Sequence, residues 1–431
     1  MATRYDPGVT QPVLPDLVDV AIVGGGAAGL ATAIFAARRS VGRSIVILDG
    51  ARRLGAKILV AGGGRCNVTN RVVSAADYCG GSLHRIARVL AAFPVPRTVA
   101  FFQELGVELH EEAGGKLFPT TNKARTVLDA LLAEVERCGV RILTEQRVTT
   151  VEPRDDGFRI VTATLTLHAR RVVLATGGCA LPKTGSDGAG YALAERLGHA
   201  LVPPTPALVP LVLAGDSHRS LSGIAQDVEL TVRAAGAKAV RVRGALLWTH
   251  FGVSGPAVLD ASRHWLRARL AGQAVDLAVS FLPGADLAGA EQRLLELAAA
   301  HPKAQVHSAL ARLVPARVAG ALLHELGLDG ALPLAHFPKP QRRRLVQALA
   351  AWPLPVRDSR GYQHAEVTAG GVPLNEVDPG SMVSRKCPGL HLVGEILDVD
   401  GRIGGFNFQW AWASAWVAGS FLGRPASPDS G

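Results

Sequence analysis

Residues 18–49 read VDVAIVGGGAAGLATAIFAARRSVGRSIVILD. Val18 to Val23 is a short, nearly continuous apolar run, the pattern of a strand buried on both faces of a parallel sheet. It enters Gly24-x-Gly26-x-x-Gly29, and from Ala27 and Ala28 through Arg39 the apolar residues follow helical spacing. A second strand, Ser44 to Leu48, ends on Asp49, 20 residues after Gly29. The glycine spacing alone is a weak signal. Between a strand and a helix, with an acid closing the next strand, it reads as the βαβ unit that binds a dinucleotide. Gly24 permits the tight turn, Gly26 lets backbone approach a pyrophosphate, and Gly29 lets helix and strand pack closely. The helix N-terminus offers N–H groups and a positive dipole end to phosphate. Asp49, followed by Gly50, is placed to hydrogen-bond the ribose hydroxyls.

Composition bounds what surrounds this unit. The 431 residues suggest two to three domains, taking about 150 residues for each. Hydrophobic residues make up 48% and charged ones 19%, which excludes a disordered chain. The net charge of +10 would attract nucleic acid, anionic membrane or an anionic cofactor. The only dense basic run, Lys339 with Arg342, Arg343 and Arg344, has no interleaved aromatics and reads as a solvated face, so no nucleic-acid partner is expected. Five cysteines stand far apart, with neither a C-x-x-C nor a zinc spacing. That suits a reducing compartment and excludes a disulfide framework or a metal centre. Residues 1–16 lack the apolar core of an export signal, and Trp410 to Leu422 is too short and glycine-punctuated to span a bilayer. A cytoplasmic protein without membrane contact is expected; the oligomeric state is open.

Further along, residues 83–140 read as mainly helical, with the clearest helix over 123–137. Short strands are expected near 146–152, 158–162 and 165–168, and Arg170 to Ala175 runs as a strand into Thr176-Gly177-Gly178. Pro203-Pro204-Thr205-Pro206 and Trp352-Pro353-Leu354-Pro355 then bracket a long segment, as stiffened entry and exit to an inserted domain. The division is a nucleotide-binding part over 17–202 and 356–424, and an insert over 203–355 with a β-barrel (203–283) and helices (284–350). Within the insert, 226–233 and 239–243 alternate as strands around Ala234 to Ala237. Leu390 to Val393 is a strand ending at Gly394-Glu395, and the chain closes with a helix over about 404–422. The fold class is α/β: a Rossmann-like domain interrupted by a barrel-plus-helix insert.

The stretches AGGGRCNVTN (61–70), LATGGCALPKTGSDGAGY (174–191), THFGVSGPAVL (249–259), VTAGGVPL (367–374) and GEILDVDGRIGGFNFQWA (394–411) resemble one bacterial flavoprotein family. It is usually labelled NAD(P)/FAD-dependent oxidoreductase or aminoacetone-oxidase-like FAD-binding enzyme, and a bile-acid-intermediate enone reductase is similar in sequence. The resemblance runs from Val18 to about Gly419 and implies a two-dinucleotide-binding flavoprotein fold with FAD as cofactor. It puts the glycine run Gly62, Gly63, Gly64 over the FAD, with Arg65 near phosphate or flavin, Asn67 hydrogen-bonding, Lys57 helping to neutralise the pyrophosphate, and Cys66 close by. As a residue in its own right, Cys66 reads better as a plain buried thiol, since no C-x4-C accompanies it. Val148, Thr176, Gly177 and Gly178 join the FAD set, as do Gly394, Glu395 and Asp398. Gly404, Gly405, Phe406 and Asn407 open the last helix, whose positive end would face the flavin pyrimidine. Where the family usually has Glu, this chain has Asp49.

No second G-x-G-x-x-G lies between 180 and 390, so either NADH or NADPH acts as a diffusible donor reaching the flavin through the cleft between insert and core, or the substrate itself reduces the flavin. Candidates for the proton donor are His250, His364 and Glu366, each in a glycine-punctuated loop or strand end. Ser254-Gly255-Pro256 reads as a capped helix start. The resemblance implies NAD(P)H-driven reduction of an activated double bond in a small organic substrate. Alternatives are an oxygen-using amine or aminoketone oxidase, and an RNA-binding flavoprotein.

Overall fold

The computed structural model describes residues 16–40 and 42–424; the expectation about an export signal falls almost wholly outside them. Apolar runs build the first sheet. Arg141–Leu143, Ile45–Leu48, Leu17–Val23 and Thr166–Leu174 lie side by side and parallel. Thr166–Leu174 is a single nine-residue strand with a divided second edge. Its first half pairs antiparallel with Gly157–Val161, and Val172 to Leu174 pair parallel with Leu390–Leu392. Thr150–Arg154 completes the antiparallel wing. The segment before it is not strand as expected: Gln146 N donates to Asp49 O at 2.8 Å, carrying the chain across the end of the sheet.

The helix after the first glycine turn spans Ala27–Arg39. Against it lies the last helix, Phe406–Leu422, which is buried nearly all round, including Trp410 and Trp412. Their approach is close at Gly419, where a Cβ would stand 2.7 Å from that of Phe35. The expected run of helices over 83–140 is broken by a hairpin, Leu109–Glu112 with Lys116–Pro119.

In the insert, a seven-stranded antiparallel sheet includes the expected hairpin, Ala225–Ala234 with Val240–Thr249 and Val232 opposite Val240. One edge strand, Trp352–Leu354, pairs with residues of Val275–Ser280, and the other, Val356–Ser359, pairs with Leu211–Leu213. The two edges are one run of chain bent at Pro355, so the sheet curls into a barrel, with helices Leu287–Ala300, Ala316–Glu325 and Lys339–Ala350 sharing its core. The pairings put Val356–Ser359 with the barrel, beyond residue 355. They put Val202–Ala207 outside it, antiparallel to Val367–Gly371 with Ala207 opposite Val367. The helix Pro256–Leu270 is capped by Gly255 at φ +92, with no side-chain cap from Ser254.

Outside both sheets, Ser384 Oγ lies 2.8 Å from His199 Nε2, and His199 Nδ1 lies 2.8 Å from Glu376 Oε2. The arrangement imitates a hydrolase triad. Ser384 is buried, however, and its Oγ already accepts from Lys386 N and Cys387 N, so the trio pins a turn.

Candidate functional site

Four strands end at one level, because Val23 is in register with Leu48 and Leu174, and Leu174 with Leu392. Gly24, Asp49, Ala175 and Val393 therefore leave the sheet side by side at its carboxyl edge, the place where open α/β sheets bind ligands. A cavity of about 820 Å³ opens there, lined by Gly24, Gly26, Ala27, Ala28, Asp49, Gly50, Val148, Thr176 and Gly177.

The three fingerprint glycines differ in what a Cβ would meet. At Gly24, with φ +106, it would come within 2.5 Å of Ala175 O, and at Gly29 within 1.9 Å of Gly24 O. Both are needed for packing, and Gly29 does not line the cavity. At Gly26 a Cβ would meet no atom within 4 Å, so this glycine keeps open space rather than fitting a neighbour. No side chain caps the helix that follows, which leaves its first N–H groups free of a side-chain partner, and its first residues, Ala27 and Ala28, line the cavity. Asp49 Oδ2 accepts from Gly25 N at 2.6 Å and Oδ1 from Ala51 N at 2.7 Å, tying the glycine turn to the end of the next strand. Thr176 Oγ1 and Asn67 Oδ1, on cavity-lining residues, are buried without a protein partner. Bare backbone, free helix-end N–H groups, an acid at the strand end and unpartnered polar atoms fit a dinucleotide.

The glycine run is explained by its backbone. Gly62, Gly63 and Gly64 have φ of +58, +68 and +82, a left-handed stretch that kinks Ala56–Gly64. Gly62 and Gly63 line the cavity; Gly64 does not. Cys66 departs from the flavin expectation too: it is fully buried, does not line the cavity, and burial pushes its thiol far up. Arg65 and Lys57 line the cavity with their charges already engaged. Arg65 pairs with Glu112 at 2.6 Å over the Phe118 ring, and Lys57 Nζ pairs with Glu395 Oε2 at 2.5 Å. Glu395 also accepts from Thr368 N through its other oxygen.

Gly394, Gly404, Gly405 and Asn407 line the cavity; Gly178, Asp398 and Phe406 do not. A Cβ on Gly178 would stand 2.4 Å from Thr368 Oγ1, Asp398 is half-buried with its carboxyl raised by desolvation, and Phe406 lies buried against Tyr78. Asn407 holds Gly401 through both its N–H and its C=O, at 2.8 and 2.9 Å, which fixes the loop before the last helix.

Of the three proton-donor candidates, Glu366 alone lines the cavity. His250 is exposed on a barrel turn beside Phe251, and His364 is exposed too. Glu366 is accessible from the cavity, yet desolvation raises its carboxyl, with Lys57 and then Lys116 pulling it down. The insert supplies none of the lining between Leu211 and Ser359, contrary to a cleft between insert and core. It acts from behind: Asp260 Oδ1 accepts from Ile403 N at 2.7 Å, just ahead of Gly404 and Gly405. Sequence reading missed Lys116 and Phe118 in the wall, because their hairpin was taken for helix. Among the described residues, no three His, Cys, Asp or Glu side chains gather as a metal site, and no helix is long and apolar enough to cross a membrane.

The family model described as HI0933-like protein Rossmann domain matches residues 18–421. The chain is 34% identical over 400 residues to the 3-dehydro-bile acid delta(4,6)-reductase of Clostridium scindens, covering 93% of this chain and 98% of that protein. It is 33% identical over 407 residues to the ribosomal RNA dihydrouridine synthase of Escherichia coli, covering 94% and 98%. Among solved structures, the 3-ketosteroid delta1-dehydrogenase of Sterolibacterium denitrificans shares the fold, with a TM-score of 0.50 at 14% identity over 95% of this chain and 100% of that one.

Proposed function

The chain belongs to the HI0933-like Rossmann-domain family of FAD-dependent oxidoreductases, and we propose from that premise that it reduces a carbon–carbon double bond conjugated with a carbonyl, in a small organic substrate, with NADH or NADPH as diffusible donor. The observation that carries this reading is Glu366, a carboxyl raised by desolvation on the wall of the dinucleotide cavity. The relatives' names support the substrate class. A 3-dehydro bile acid with Δ4 and Δ6 bonds and a uridine ring both contain a double bond conjugated with a carbonyl, and both names describe its saturation.

In this reading the turn at Gly24, Gly26, Ala27 and Ala28 takes the pyrophosphate, and Asp49 takes the ribose through lone pairs left over from Gly25 and Ala51. Thr176, Gly177, Gly394, Glu395, Gly404 and Gly405 surround the remainder. Bound flavin supplies hydride chemistry at N5. Glu366 keeps a proton in the cavity and gives it to the substrate's α-carbon, and a carboxyl raised toward the working pH suits that task. The same reading keeps the three-part division of the chain, with the insert as a scaffold behind the site. It sets the protein in the cytoplasm, supported by its five free cysteines.

A second reading has the double bond presented on RNA. The net charge of +10 and the two ribosomal RNA dihydrouridine synthases among the relatives favour it. Phosphate-driven binding would then weaken steeply with salt.

The deciding experiment is an anaerobic visible spectrum of the purified yellow protein, before and after NADH and then NADPH, followed by cyclohex-2-enone, a Δ4-3-oxo steroid or ribosomal RNA. Bleaching by the donor and return of colour with one acceptor supports the reading. Protein that stays yellow with both donors, and releases peroxide from an amine or aminoketone under air, replaces it with an oxidase.

A further inference from the structure

Several charged side chains of the cavity wall make no ion pair among the described residues; Asp49 is held by two backbone N–H groups, and Lys116 and Glu366 stand out as a pair of opposite charge. Lys116, on Lys116–Pro119, and Glu366, at the start of Val367–Gly371, both line it. Among the described residues neither makes an ion pair, whereas Lys57, Arg65 and Arg147 in the same wall are held by Glu395, Glu112 and Asp187. Arg53 and Lys183 also lack acidic partners, but they are exposed, while Lys116 is half-buried. Removing an ammonium from water without a counter-charge is unfavourable unless something in the site uses it.

Its mounting is rigid. Lys116 is in register with Asn70, whose Nδ2 donates to Gly114 O and to Gly404 O, each at 3.0 Å. One amide thus bolts the hairpin turn to the glycine that opens the last helix, itself part of the cavity wall. Lys116 is also near enough to Glu366 for its charge to be felt there.

We propose that Lys116 is a substrate-binding residue that holds the carbonyl oxygen of the substrate and so selects double bonds conjugated with a carbonyl. This rests on the reductase reading above. As such a bond is reduced, negative charge collects on the carbonyl oxygen, and a fixed cation in a cavity stabilises it far better than water does. A lysine presents that charge as a compact point. Lys116 serves the oxygen while Glu366 serves the carbon.

The test titrates 4-hydroxybenzaldehyde, a phenol whose oxygen imitates the charged carbonyl, into the oxidised yellow protein and follows the flavin absorbance. Lys116→Met is expected to weaken binding at least tenfold and Lys116→Arg to restore most of it, with flavin content unchanged in both. Equal affinity in wild type and Lys116→Met overturns the proposal, as does failure of the wild type to bind. Flavin lost from Lys116→Met overturns it too, because Lys116 would then serve the cofactor. If the titration behaves as expected but no conjugated carbonyl compound reoxidises the reduced protein, Lys116 still holds a ligand's charged oxygen, while the reductase reading fails and takes the choice of substrate with it.

Discussion

Arg263 forks onto the carboxylate of Asp400, with Nη2 2.7 Å from Oδ1 and Nε on Oδ2. The arginine comes from the helix that backs the barrel and the aspartate from the strand Val399–Gly401 beside the cavity, so the pair rivets insert to nucleotide-binding part. Burial raises the Asp400 carboxyl, and Arg263 opposes the shift. Arg263→Met strands that acid. Removing one partner of a buried pair costs about 3–5 kcal/mol, so thermal melting should show a large loss. Arg263→Met combined with Asp400→Leu should recover much of it; a single variant as stable as wild type would refute the rivet.

Gly26→Asp separates binding from folding. A Cβ there meets nothing within 4 Å, so the variant should fold and melt like flavin-free wild type, yet purify colourless because its carboxylate faces the pyrophosphate. Gly29→Ala should do the reverse, losing stability through the 1.9 Å clash with Gly24 O. A yellow Gly26→Asp protein would mean that the dinucleotide lies elsewhere.

Glu366→Gln keeps the shape and removes the proton. Bleaching by the nicotinamide donor should proceed at the wild-type rate, while turnover with an enone should fall by roughly 100-fold or more, the usual contribution of a positioned acid. Its pH profile should lose the limb that reports the raised carboxyl. Stopped-flow measurement of both half-reactions checks this.

How the chain would fold was easiest to read where local pattern and tertiary role coincide. The run from Val18 to Asp49 announces itself because strand, glycine turn, helix and acid are consecutive, and the apolar Phe406–Leu422 helix could only be buried. The hairpin around Gly114 and Gly115 was hidden, since its strands are only four residues long, Leu109-His110-Glu111-Glu112 and Lys116-Leu117-Phe118-Pro119, and neither alternates polar with apolar. Lys57 gave no sign of its salt bridge to Glu395, 338 residues away in sequence. His250, His364 and Glu366 looked alike beside their glycines; only the direction of each strand end separates the cavity from the outer surface.

Asp260 makes a prediction about pH. Burial raises its carboxyl to about 6 against the bond from Ile403 N, with Arg402 and Lys116 lowering it and Glu366 raising it. A carboxyl raised on folding binds its proton more tightly in the native state. Its favourable contribution is complete below the unfolded value near 4 and is lost as pH rises through 6. The change is on the order of 1–3 kcal/mol. His264 and His391, both lowered to about 4 by burial, act in the opposite sense over an overlapping range. The informative quantity is therefore the difference in denaturation free energy between wild type and Asp260→Asn. The variant should gain relative stability between pH 4 and 7; a constant difference would rule this out.

The pairing of Ala207 with Val367 has a consequence for modularity. The chain departs for the barrel and comes home as neighbouring rungs of one antiparallel ladder, so the ends of the excursion are already a hairpin's width apart. A two-residue turn in place of everything between them would close that hairpin without disturbing the register of Val202–Ala207 on Val367–Gly371. A fold wired this way can exchange its barrel and helices by recombination at two nearby points, provided that Leu208 and Glu366, which line the chamber just inside the junction, are kept and that the new insert answers Asp400.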